Sequence, residues 1–475
     1  MHVRIEGVFV AYQGPSRRDG AAFRGLTLGQ FVLLLVGFGG LGAAFWLRPF
    51  ELGRVILYAF WSAFFILAVW RIVLCTASVR RLPLAPDPDS WPRYTVIAAL
   101  CDEADVVPAL LEALGQIDYP MEQLEGFIVL EAHDHATLAA VMAADRPSWL
   151  RVLIAPPGAG AKPRALNHAL SVSRGELVVI YDAEDDPDPL QLREAAARFM
   201  AEPDLVAAQA PLRIRRRGRA PSRFIDRQFA AEYAGLFEVT LRGMAALGLP
   251  FPLGGTSNHI RADVLKAVGG WDPFNLTEDA DIGFRLWRSG GRLGILSRPT
   301  YETPPDGIYA WLPQRTRWLK GYMQTVGVHT RYLNGLGARG ALALSLSLGV
   351  ALISAALHAP VMAWIAVSLI VAAVSGVEPI VPLAGMVVLC TGAAAAWITC
   401  AMGAIRAGAS YGVRDMLEAP FYWALTSLAF GHAVGRLATE PYAWDKTPHR
   451  PDVVEGDDQM AQAASTLSDA GRQAA

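Results

Sequence analysis

Charge and cysteine are both scarce in this sequence. Charged side chains make up 18% of the 475 residues and hydrophobic ones 53%, and the mean hydropathy is +0.29. This composition is too apolar for an ordinary soluble enzyme and predicts membrane-spanning segments. The four cysteines show no paired spacing, which argues against a disulfide framework or a zinc site. The net charge of −2 argues against nucleic acid as a partner.

Long apolar runs lie towards both ends of the chain and predict six membrane spans. Residues 28–47 carry no charge and are long enough to cross a bilayer as a helix. The other runs are 55–70 with 72–74, 341–358, 360–375, 382–404 and 419–434. The positive-inside rule places the N-terminus and the central region in the cytoplasm, as expected for a multi-pass protein of the inner (plasma) membrane. Arg406 and Arg414 would then face outward, so one of the last two runs is alternatively interfacial. The arginine-rich run 213–219 is expected to face lipid headgroups.

The region between these two groups of spans has the pattern of an α/β domain. Short β-rich runs alternate with helical stretches, which predicts parallel βαβ units. The runs are 94–100, 126–130, 151–155, 176–181 and 205–210. In an open sheet of this kind, ligands bind beyond the carboxyl ends of the strands. The polar residues that follow these runs are therefore candidates for a single binding site.

Carboxylates follow most of these predicted strands. Glu103 comes after the first run, Glu131 and Asp134 come after the second, and Asp182 and Glu184 come after the fourth. Asp182 and Glu184 are two residues apart at the end of a strand, so both can face one ion. Carboxylate oxygens suit Mg²⁺ or Mn²⁺, which leave coordination positions for diphosphate oxygens. Alternatively, the acidic cluster only caps the helix that follows it.

Two further segments supply groups for an anionic ligand and for a base. Lys162 opens a helix after a Gly/Pro-rich loop, where a cation and free amides can hold an anion; an ordinary surface helix would start in the same way. Thr277, Glu278 and Asp279 predict a helix N-terminus capped by Thr277. Because a helix N-terminus lowers the pKa of a carboxyl, Asp279 is expected to stay ionised and act as a general base. Capping alone would explain the same residues.

Residues 252–258 place two glycines among small polar side chains, which lets backbone approach a ligand closely.

Arginines and aromatic residues occur together further along the chain. Arg315, Arg317 and Lys320 lie beside aromatic residues, and this combination can clamp phosphate and stack on sugar faces. Aromatic and basic residues alternate over 309–332, which also predicts an amphipathic helix at the membrane surface before the third span. We expect both interpretations to hold.

These motifs, taken in order, resemble those of the membrane-embedded family 2 glycosyltransferases, the group that includes cellulose and hyaluronan synthases. In that family an Asp-x-Asp motif binds the metal and the nucleotide-sugar diphosphate, a Thr-Glu-Asp motif provides the base, and a Gln-x-x-Arg-Trp motif binds diphosphate and acceptor. The corresponding segments here are 182–184, 277–279 and 314–318. The last two match literally, whereas Glu184 replaces the second aspartate of the first motif.

The resemblance implies a cytoplasmic GT-A (Rossmann-like) α/β domain inserted between transmembrane helices, and an inverting transfer from a UDP-sugar. Asp279 would be the base within the catalytic motif of Thr277, Glu278 and Asp279. The implied donor contacts are Glu103, Glu131, Asp134, Lys162, Asp182, Arg315 and Arg317, the metal ligands are Asp182 and Glu184, and the acceptor contacts are Gln314 and Trp318.

The segment after the last apolar run resembles the cytoplasmic gating loop with which these synthases cover bound nucleotide. Its candidate residues are Trp444, Lys446, Thr447 and His449, and a free tail is the alternative. The predicted order is a cytoplasmic segment (1–27), two transmembrane helices (28–75), the GT-A domain (85–305), interfacial helices (306–337), C-terminal transmembrane helices (341–436), the gating loop (437–450) and a disordered tail (451–475).

The leading hypothesis is a processive synthase that extends a polysaccharide from a UDP-sugar and passes it toward its own helices, alone or with accessory export or synthase subunits. One alternative is transfer of a single sugar to a lipid acceptor. Another is a non-catalytic membrane subunit of an assembly complex. The presence of Asp182, Asp279 and Arg317 favours catalysis over this last possibility.

Overall fold

The computed structural model describes residues 3–5, 8–10, 22–82, 85–158, 160–215, 223–332, 335–376 and 383–444. The strands are β1 (Val3–Ile5), β2 (Val8–Val10), β3 (Tyr94–Leu100), β4 (Leu124–Leu130), β5 (Leu150–Ile154), β6 (Leu177–Tyr181), β7 (Asp186–Pro187), β8 (Leu205–Gln209), β9 (Leu212–Ile214), β10 (Asn258–Arg261), β11 (Arg292–Ile295) and β12 (Thr300–Glu302).

The helices begin before the central domain, run through it and continue to the end of the described chain. They are α1 (Leu28–Leu47), α2 (Pro49–Ala77), α3 (Val107–Gly115), α4 (His135–Ala143), α5 (Ala161–Val172), α6 (Gln191–Ala201), α7 (Phe224–Tyr233), α8 (Arg242–Ala246), α9 (Ala262–Ala267), α10 (Glu278–Arg288), α11 (Gly307–Arg331), α12 (Gly337–Leu344), α13 (Val350–Ser375), α14 (Leu383–Ala407) and α15 (Val413–Thr439). Ala234–Leu241 and Ser345–Gly349 are π-helical, and Ala22–Arg24 and Met121–Gln123 are short 3-10 helices.

The central sheet confirms the predicted α/β domain, and all five predicted strands are present. Its order is β1-β2-β5-β4-β3-β6-β10-β8-β11, and the pairs β5-β4, β4-β3 and β3-β6 are parallel. The sheet is mixed rather than purely parallel, because β10 lies antiparallel between β6 and β8. The sequence gives little sign of β10 since three of its four residues are polar. His259 at its centre is buried between the Tyr94 hydroxyl, at 2.5 Å, and Gln191, at 3.0 Å.

Both faces of the sheet are buried. In β6, Val178 and Ile180 pack into one hydrophobic cluster, while Val179 and Tyr181 pack into the other. Full burial of one such aliphatic side chain contributes about 1.5–3 kcal/mol. A strand buried on both faces is an uninterrupted apolar run, which explains why the sequence predicts these strands well. The same burial fixes the carboxyl ends of β3, β4 and β6 side by side.

Among the described residues, four helical segments are long and apolar enough to cross a membrane. They are Leu28–Leu47, Phe50–Ala77, Gly337–Ser375 and Gly385–Ala407. The predicted division of 341–375 into two spans is wrong, because the helix continues through Pro360. The preceding N–H, that of Ala359, donates at 3.0 Å to the Ser427 hydroxyl of α15, so a neighbouring helix satisfies backbone near the proline. The sixth predicted run lies in α15, which packs against α11 and α13.

The membrane helix α14 packs directly on the π-helical segment Ala234–Leu241 of the central domain. Gly403 makes this contact possible: a Cβ on Gly403 would lie 2.3 Å from the carbonyl carbon and oxygen of Ala234. Neither group is the end of a flexible side chain, so neither can move aside at low cost. Small residues allow two helices to approach in this way. A wall of the central domain is therefore attached backbone to backbone to a membrane helix.

We predict that Gly403→Ala destabilises the protein by about 1–3 kcal/mol, because the added methyl group overlaps the Ala234 backbone. Gly392→Ala, on the same helix, is the matched control, since its nearest neighbour would be 4.0 Å away. The thermal midpoints of the purified proteins in detergent measure the difference. Equal midpoints for the two variants would contradict the predicted overlap.

Candidate active site

A cavity of about 790 Å³ opens where the carboxyl ends of β3, β4 and β6 meet. This volume is in the range of small-ligand sites. It brings together most of the residues singled out from the sequence. Those that line it are Glu103, Glu131, Lys162, Asp182, Glu184, Thr277, Glu278, Asp279, Gln314, Arg317, Trp318 and Trp444. Asp134 and Arg315 do not line it, and Lys446, Thr447 and His449 lie outside the described residues.

Lys162 lies at the centre of the acidic part of the cavity. Its Nζ is 2.5 Å from Asp182 Oδ1 and donates to the carbonyl oxygen of Gly255 at 2.8 Å. Burial disfavours the charge on Lys162, but the neighbouring carboxylates, Asp182 first among them, together outweigh this effect and raise the pKa of the lysine. Glu278 and Asp279 act in the same direction. The predicted cation site at the start of α5 is thus a lysine shared by carboxylates from two loops.

The first turn of α5 is held in place by a close backbone contact. Gly160 precedes the helix with φ at +71°, and a Cβ there would lie 2.1 Å from the carbonyl oxygen of Pro273. Only glycine fits this conformation and this spacing. The contact joins the loop before α5 to the loop before α10, and it therefore sets the separation between Lys162 and Asp279.

Asp185 shapes the loop that carries the predicted metal ligands. It is 1% exposed, and its carboxylate accepts hydrogen bonds from the N–H of Asp182, at 2.6 Å, and from the Thr256 hydroxyl. Burial raises the pKa of Asp185 well above its usual value, and the neighbouring Asp182 and Glu184 raise it further. Glu302, from β12, also lines the cavity, and burial followed by the charge of Asp185 raises its pKa. The sequence has no motif that could have identified Glu302, which reaches the site through the pairing of β12 with β7 and β9.

The acidic loop fits a divalent cation. Asp182 and Glu184 offer hard oxygen ligands to the cavity, as Mg²⁺ and Mn²⁺ require. Burial raises the pKa values of Asp185 and Glu302, and the negative charge of the neighbouring carboxylates raises both further. A bound divalent cation would offset this negative charge.

The structure corrects the role expected for Asp134. The sequence suggests a nucleotide contact, but the carboxylate of Asp134 caps α4 by accepting the Thr137 N–H at 3.0 Å. It also accepts the Asp102 N–H at 2.5 Å, which holds Asp102 at a φ of +50°. Cys101, Asp102 and Asp134 place possible ligand atoms within 4.8 Å of one another. Because Asp134 is committed to two backbone amides, we assign it the support of this turn, and His133 lines the cavity in its place.

The residues expected to supply the base lie as predicted, but their electrostatics differ from the expectation. Thr277 occupies the N-cap position of α10 without a side-chain cap; its hydroxyl lies 3.4 Å from Asn275 and from Thr325. Asp279 accepts the N–H of Ala280 at 2.7 Å, which favours its ionised form. Burial outweighs this bond and raises the pKa of Asp279 rather than lowering it. A raised pKa makes Asp279 a stronger proton acceptor once it is ionised.

The structure places the two arginines of the Gln-x-x-Arg-Trp segment on different sides of α11. Arg317 lines the cavity, whereas Arg315 is 7% exposed and forms a two-pronged ion pair with Glu232 of α7 at 2.7 and 2.5 Å. Arg315 also donates to the Tyr422 hydroxyl of α15 at 3.0 Å. Residues two apart on a helix point in nearly opposite directions, so both arginines cannot face one ligand. The expected diphosphate contact of Arg315 is thus replaced by a structural ion pair.

Aromatic side chains form the edge of the cavity near α11. Trp318 lines the cavity and stacks on Phe229, with ring centroids 6.1 Å apart. Trp444 lies after α15, and the Arg317 guanidinium carbon is 4.3 Å from the centre of its ring. A cation so placed over an indole is attracted by its π electrons. The C-terminal segment thus contributes directly to the cavity.

One wall of the cavity is apolar and was not identified from the sequence. It is formed by Leu212, Leu236, Phe237, Leu241 and Leu253. Leucine and phenylalanine at such positions have the pattern of ordinary core residues, so no signal distinguishes them. Three of the five belong to the π-helical segment Ala234–Leu241, which packs on α14. The apolar wall therefore lies next to the membrane helices.

Comparison with known proteins finds one matching family model and several relatives. Residues 177–402 match the family model described as "Glycosyl transferase family group 2". The beta-monoglucosyldiacylglycerol synthase of Synechocystis is 26% identical over 246 residues, which cover 49% of this chain and 48% of that protein. Cellulose synthase 2 of Novacetimonas hansenii is 26% identical over 264 residues, which cover 54% of this chain and 16% of that protein. The chain thus spans about half or less of the length of these relatives.

A solved structure supports the fold assignment. The mannosyltransferase of Pyrobaculum calidifontis, in complex with GDP-Man and Mn²⁺, superposes with a TM-score of 0.50 at 20% sequence identity. The match covers 80% of this chain and 96% of the mannosyltransferase chain. This likeness confirms the expected GT-A arrangement.

We predict that Glu278→Gln stabilises the ligand-free protein more at pH 8 than at pH 5. Burial, followed by the charge of Asp279, raises the pKa of Glu278 from 4.5 to about 8. Between these values the unfolded chain has released the proton and the folded protein retains it, so the native protein loses stability as pH rises. Glutamine cannot ionise, and the variant avoids this loss. Thermal midpoints across the pH range test the effect, with Glu112→Gln as the control at an exposed position of α3. A pH-independent difference would refute it.

Proposed function

We propose that this chain is a family 2 glycosyltransferase, which transfers a sugar from a UDP-sugar to a hydroxyl acceptor, with inversion, at the cytoplasmic face of the inner membrane. The observation that carries the proposal is the convergence of Asp182, Asp279 and Arg317 on one cavity. A non-catalytic domain would have no need for these charges to be buried together, since burying them costs free energy.

The donor site is the acidic half of the cavity. We assign the diphosphate to Lys162 and Arg317, two cations that line this half and can neutralise the charge of a departing diphosphate. Asp182 and Glu184 would hold Mg²⁺ or Mn²⁺, which supplies further neutralisation of the diphosphate. The nucleoside end is assigned to the rim formed by Glu103 and the loop after β4.

Asp279 is the proposed base. It takes the proton of the acceptor hydroxyl while that oxygen forms a bond to the anomeric carbon. The bond between this carbon and the diphosphate oxygen breaks on the opposite face, and UDP leaves with the electron pair. Attack from the opposite face inverts the anomeric centre. The adjacent Glu278 has a pKa raised to about 8, so it can remain protonated beside an ionised Asp279.

The acceptor approaches from the side of α11. We assign it to Gln314 and Trp318, which line the cavity and can hydrogen-bond to and stack on a sugar ring. A sugar acceptor is what a polysaccharide synthase would hold here, and the membrane helices α13 and α14 follow further along the chain. In this proposal the chain extends a glycan processively, alone or with accessory export subunits.

A lipid acceptor is a second candidate, and the apolar wall favours it. Leu236, Phe237 and Leu241 line the cavity from a segment that packs on α14. A glycan offers little apolar surface to such a wall. The glycerol end of a lipid and its first methylene groups would instead pack on the wall and bury its apolar surface away from water. Transfer would then stop after one sugar.

We predict that Asp279→Asn lowers turnover by at least about a hundredfold, because the amide cannot accept the proton of the acceptor. Binding of Mg-UDP should change little, since Asp279 is assigned to the acceptor side. Initial rates with a radiolabelled donor and calorimetric titration with Mg-UDP measure the two effects. Asp263→Asn, at an exposed position of α9, is the matched control. Unchanged turnover in the Asp279 variant would exclude this residue as the base.

Product analysis separates the two acceptors. Membranes containing the protein are incubated in turn with radiolabelled UDP-glucose, UDP-galactose and UDP-N-acetylglucosamine, and label is counted in solvent-extracted lipid and in ethanol-insoluble glycan. A processive synthase is expected to place the label in the insoluble fraction, and this label should resist solvent extraction. Label confined to lipid with one sugar each would support the second candidate instead. No transfer from any donor would overturn the proposed function.

A further inference from the structure

The chain that follows α15 is held against α11 by two side chains of that helix. Lys320 is 0% exposed, and its Nζ donates to the carbonyl oxygens of Glu440, at 2.8 Å, and Ala443, at 3.3 Å. One turn further along α11, Gln324 Nε2 donates to the carbonyl oxygen of Pro441 at 2.9 Å. The segment 440–443 is thus anchored through its backbone.

Burying the charge of Lys320 costs free energy, and the carbonyl groups at the C-terminal end of α15 offset this cost. The sequence has only four lysines, and lysine is almost never fully buried unless its nitrogen is paired. The last carbonyl groups of a helix lack partners within the helix and carry partial negative charge. α15 ends at Thr439, so the carbonyl of Glu440 is the kind of acceptor that a buried lysine needs.

Gln324 connects the same segment to the loop that leads into the proposed base. Its Oε1 accepts the N–H of Leu276 at 3.0 Å, while its Nε2 holds Pro441. Leu276 directly precedes Thr277 at the start of α10. One amide side chain therefore joins the C-terminal segment to the helix that carries Asp279.

The anchored segment ends beside the cavity. Trp444 follows Ala443 and lines the cavity, with its ring 4.3 Å from the Arg317 guanidinium carbon. Arg317, Lys320 and Gln324 are spaced by three and four residues, so they share one face of α11. That face forms a continuous contact from the cavity edge to the loop before α10.

We propose that Lys320 and Gln324 are positioning residues, which anchor 440–443 so that Trp444 closes the cavity over the donor nucleotide. The inference rests on the proposed function, because it takes this cavity to be the donor site. Neither side chain touches the assigned reacting groups. Their loss should therefore weaken nucleotide binding more than it slows the chemical step.

Three variants test the inference by calorimetric titration with Mg-UDP and by initial rates with the active donor. Lys320→Met removes both bonds to the segment, and Gln324→Glu keeps an acceptor for Leu276 but loses the donor to Pro441. Each should raise the Kd for Mg-UDP and the donor KM by about fivefold or more, with a smaller change in kcat. Trp444→Ala should do the same.

The control is Lys266→Met on α9, where Nζ donates to the Ser173 carbonyl at 3.1 Å away from the cavity. It should bind Mg-UDP like the wild type. Amide hydrogen exchange in peptides covering 440–444 should accelerate in Lys320→Met and not in Lys266→Met. Faster exchange confined to this segment separates a loss of anchoring from a general loss of stability.

The double variant Lys320→Met/Trp444→Ala decides whether Lys320 acts through Trp444. If it does, the Kd of the double variant for Mg-UDP is no higher than the higher of the two Kd values of the single variants. Additive losses, or wild-type affinity in Lys320→Met, would overturn the inference. If Lys320→Met does not fold, Gln324→Glu and its double variant with Trp444→Ala give the same decision. A wild-type protein that neither binds Mg-UDP nor transfers sugar would overturn the proposed function together with this inference.

Discussion

Crowding of carboxyl groups around one lysine is the interaction on which the rest of the site depends. Lys162 pairs with Asp182, and its positive charge opposes the rise in pKa that burial causes at Glu278 and Asp279. These groups come from three separate segments, so folding brings their charges together and out of water, and their mutual pairing offsets part of that cost. The arrangement also links donor and base. In the proposed function, a diphosphate that engages Lys162 would withdraw part of its positive charge from Asp279 and raise the proton affinity of this base.

The fold was predictable wherever a buried element is an uninterrupted run of apolar residues in the sequence. β3 and β6 are apolar runs because both faces of the sheet are covered, and their bounds are predicted to within a residue. β10 was missed because its polar His259 is satisfied by partners distant in sequence. At Pro360 the helix α13 is likewise uninterrupted, and the adjacent Ala359 N–H donates to Ser427 of α15, a partner distant in sequence. Such compensations belong to tertiary structure, and a local pattern cannot reveal them.

The sequence predicted which residues form the site better than it predicted the orientation and environment of their side chains. Motif order located Asp279 and Arg317, and both line the cavity. Arg315, two residues before Arg317 on α11, points to another side of the helix and pairs with Glu232 instead. Local reasoning also gave the wrong sign for the pKa of Asp279: the helix N-terminus was visible in the sequence, and the depth of burial was not. Glu302 had no motif at all, since only strand pairing brings it to the site.

The backbone contact at Gly403 gives the cavity a mechanical connection to the bilayer. The π-helical segment presents Phe237 to the cavity on one side and meets α14 on the other. The atoms nearest to a Cβ on Gly403 are backbone atoms, so this contact couples the position of α14 to that of the apolar wall. Helix tilt responds to the thickness of the surrounding hydrocarbon layer. If the proposed function holds, the width of the acceptor side would depend on the surrounding membrane, and lipid composition would become a variable of the catalytic geometry.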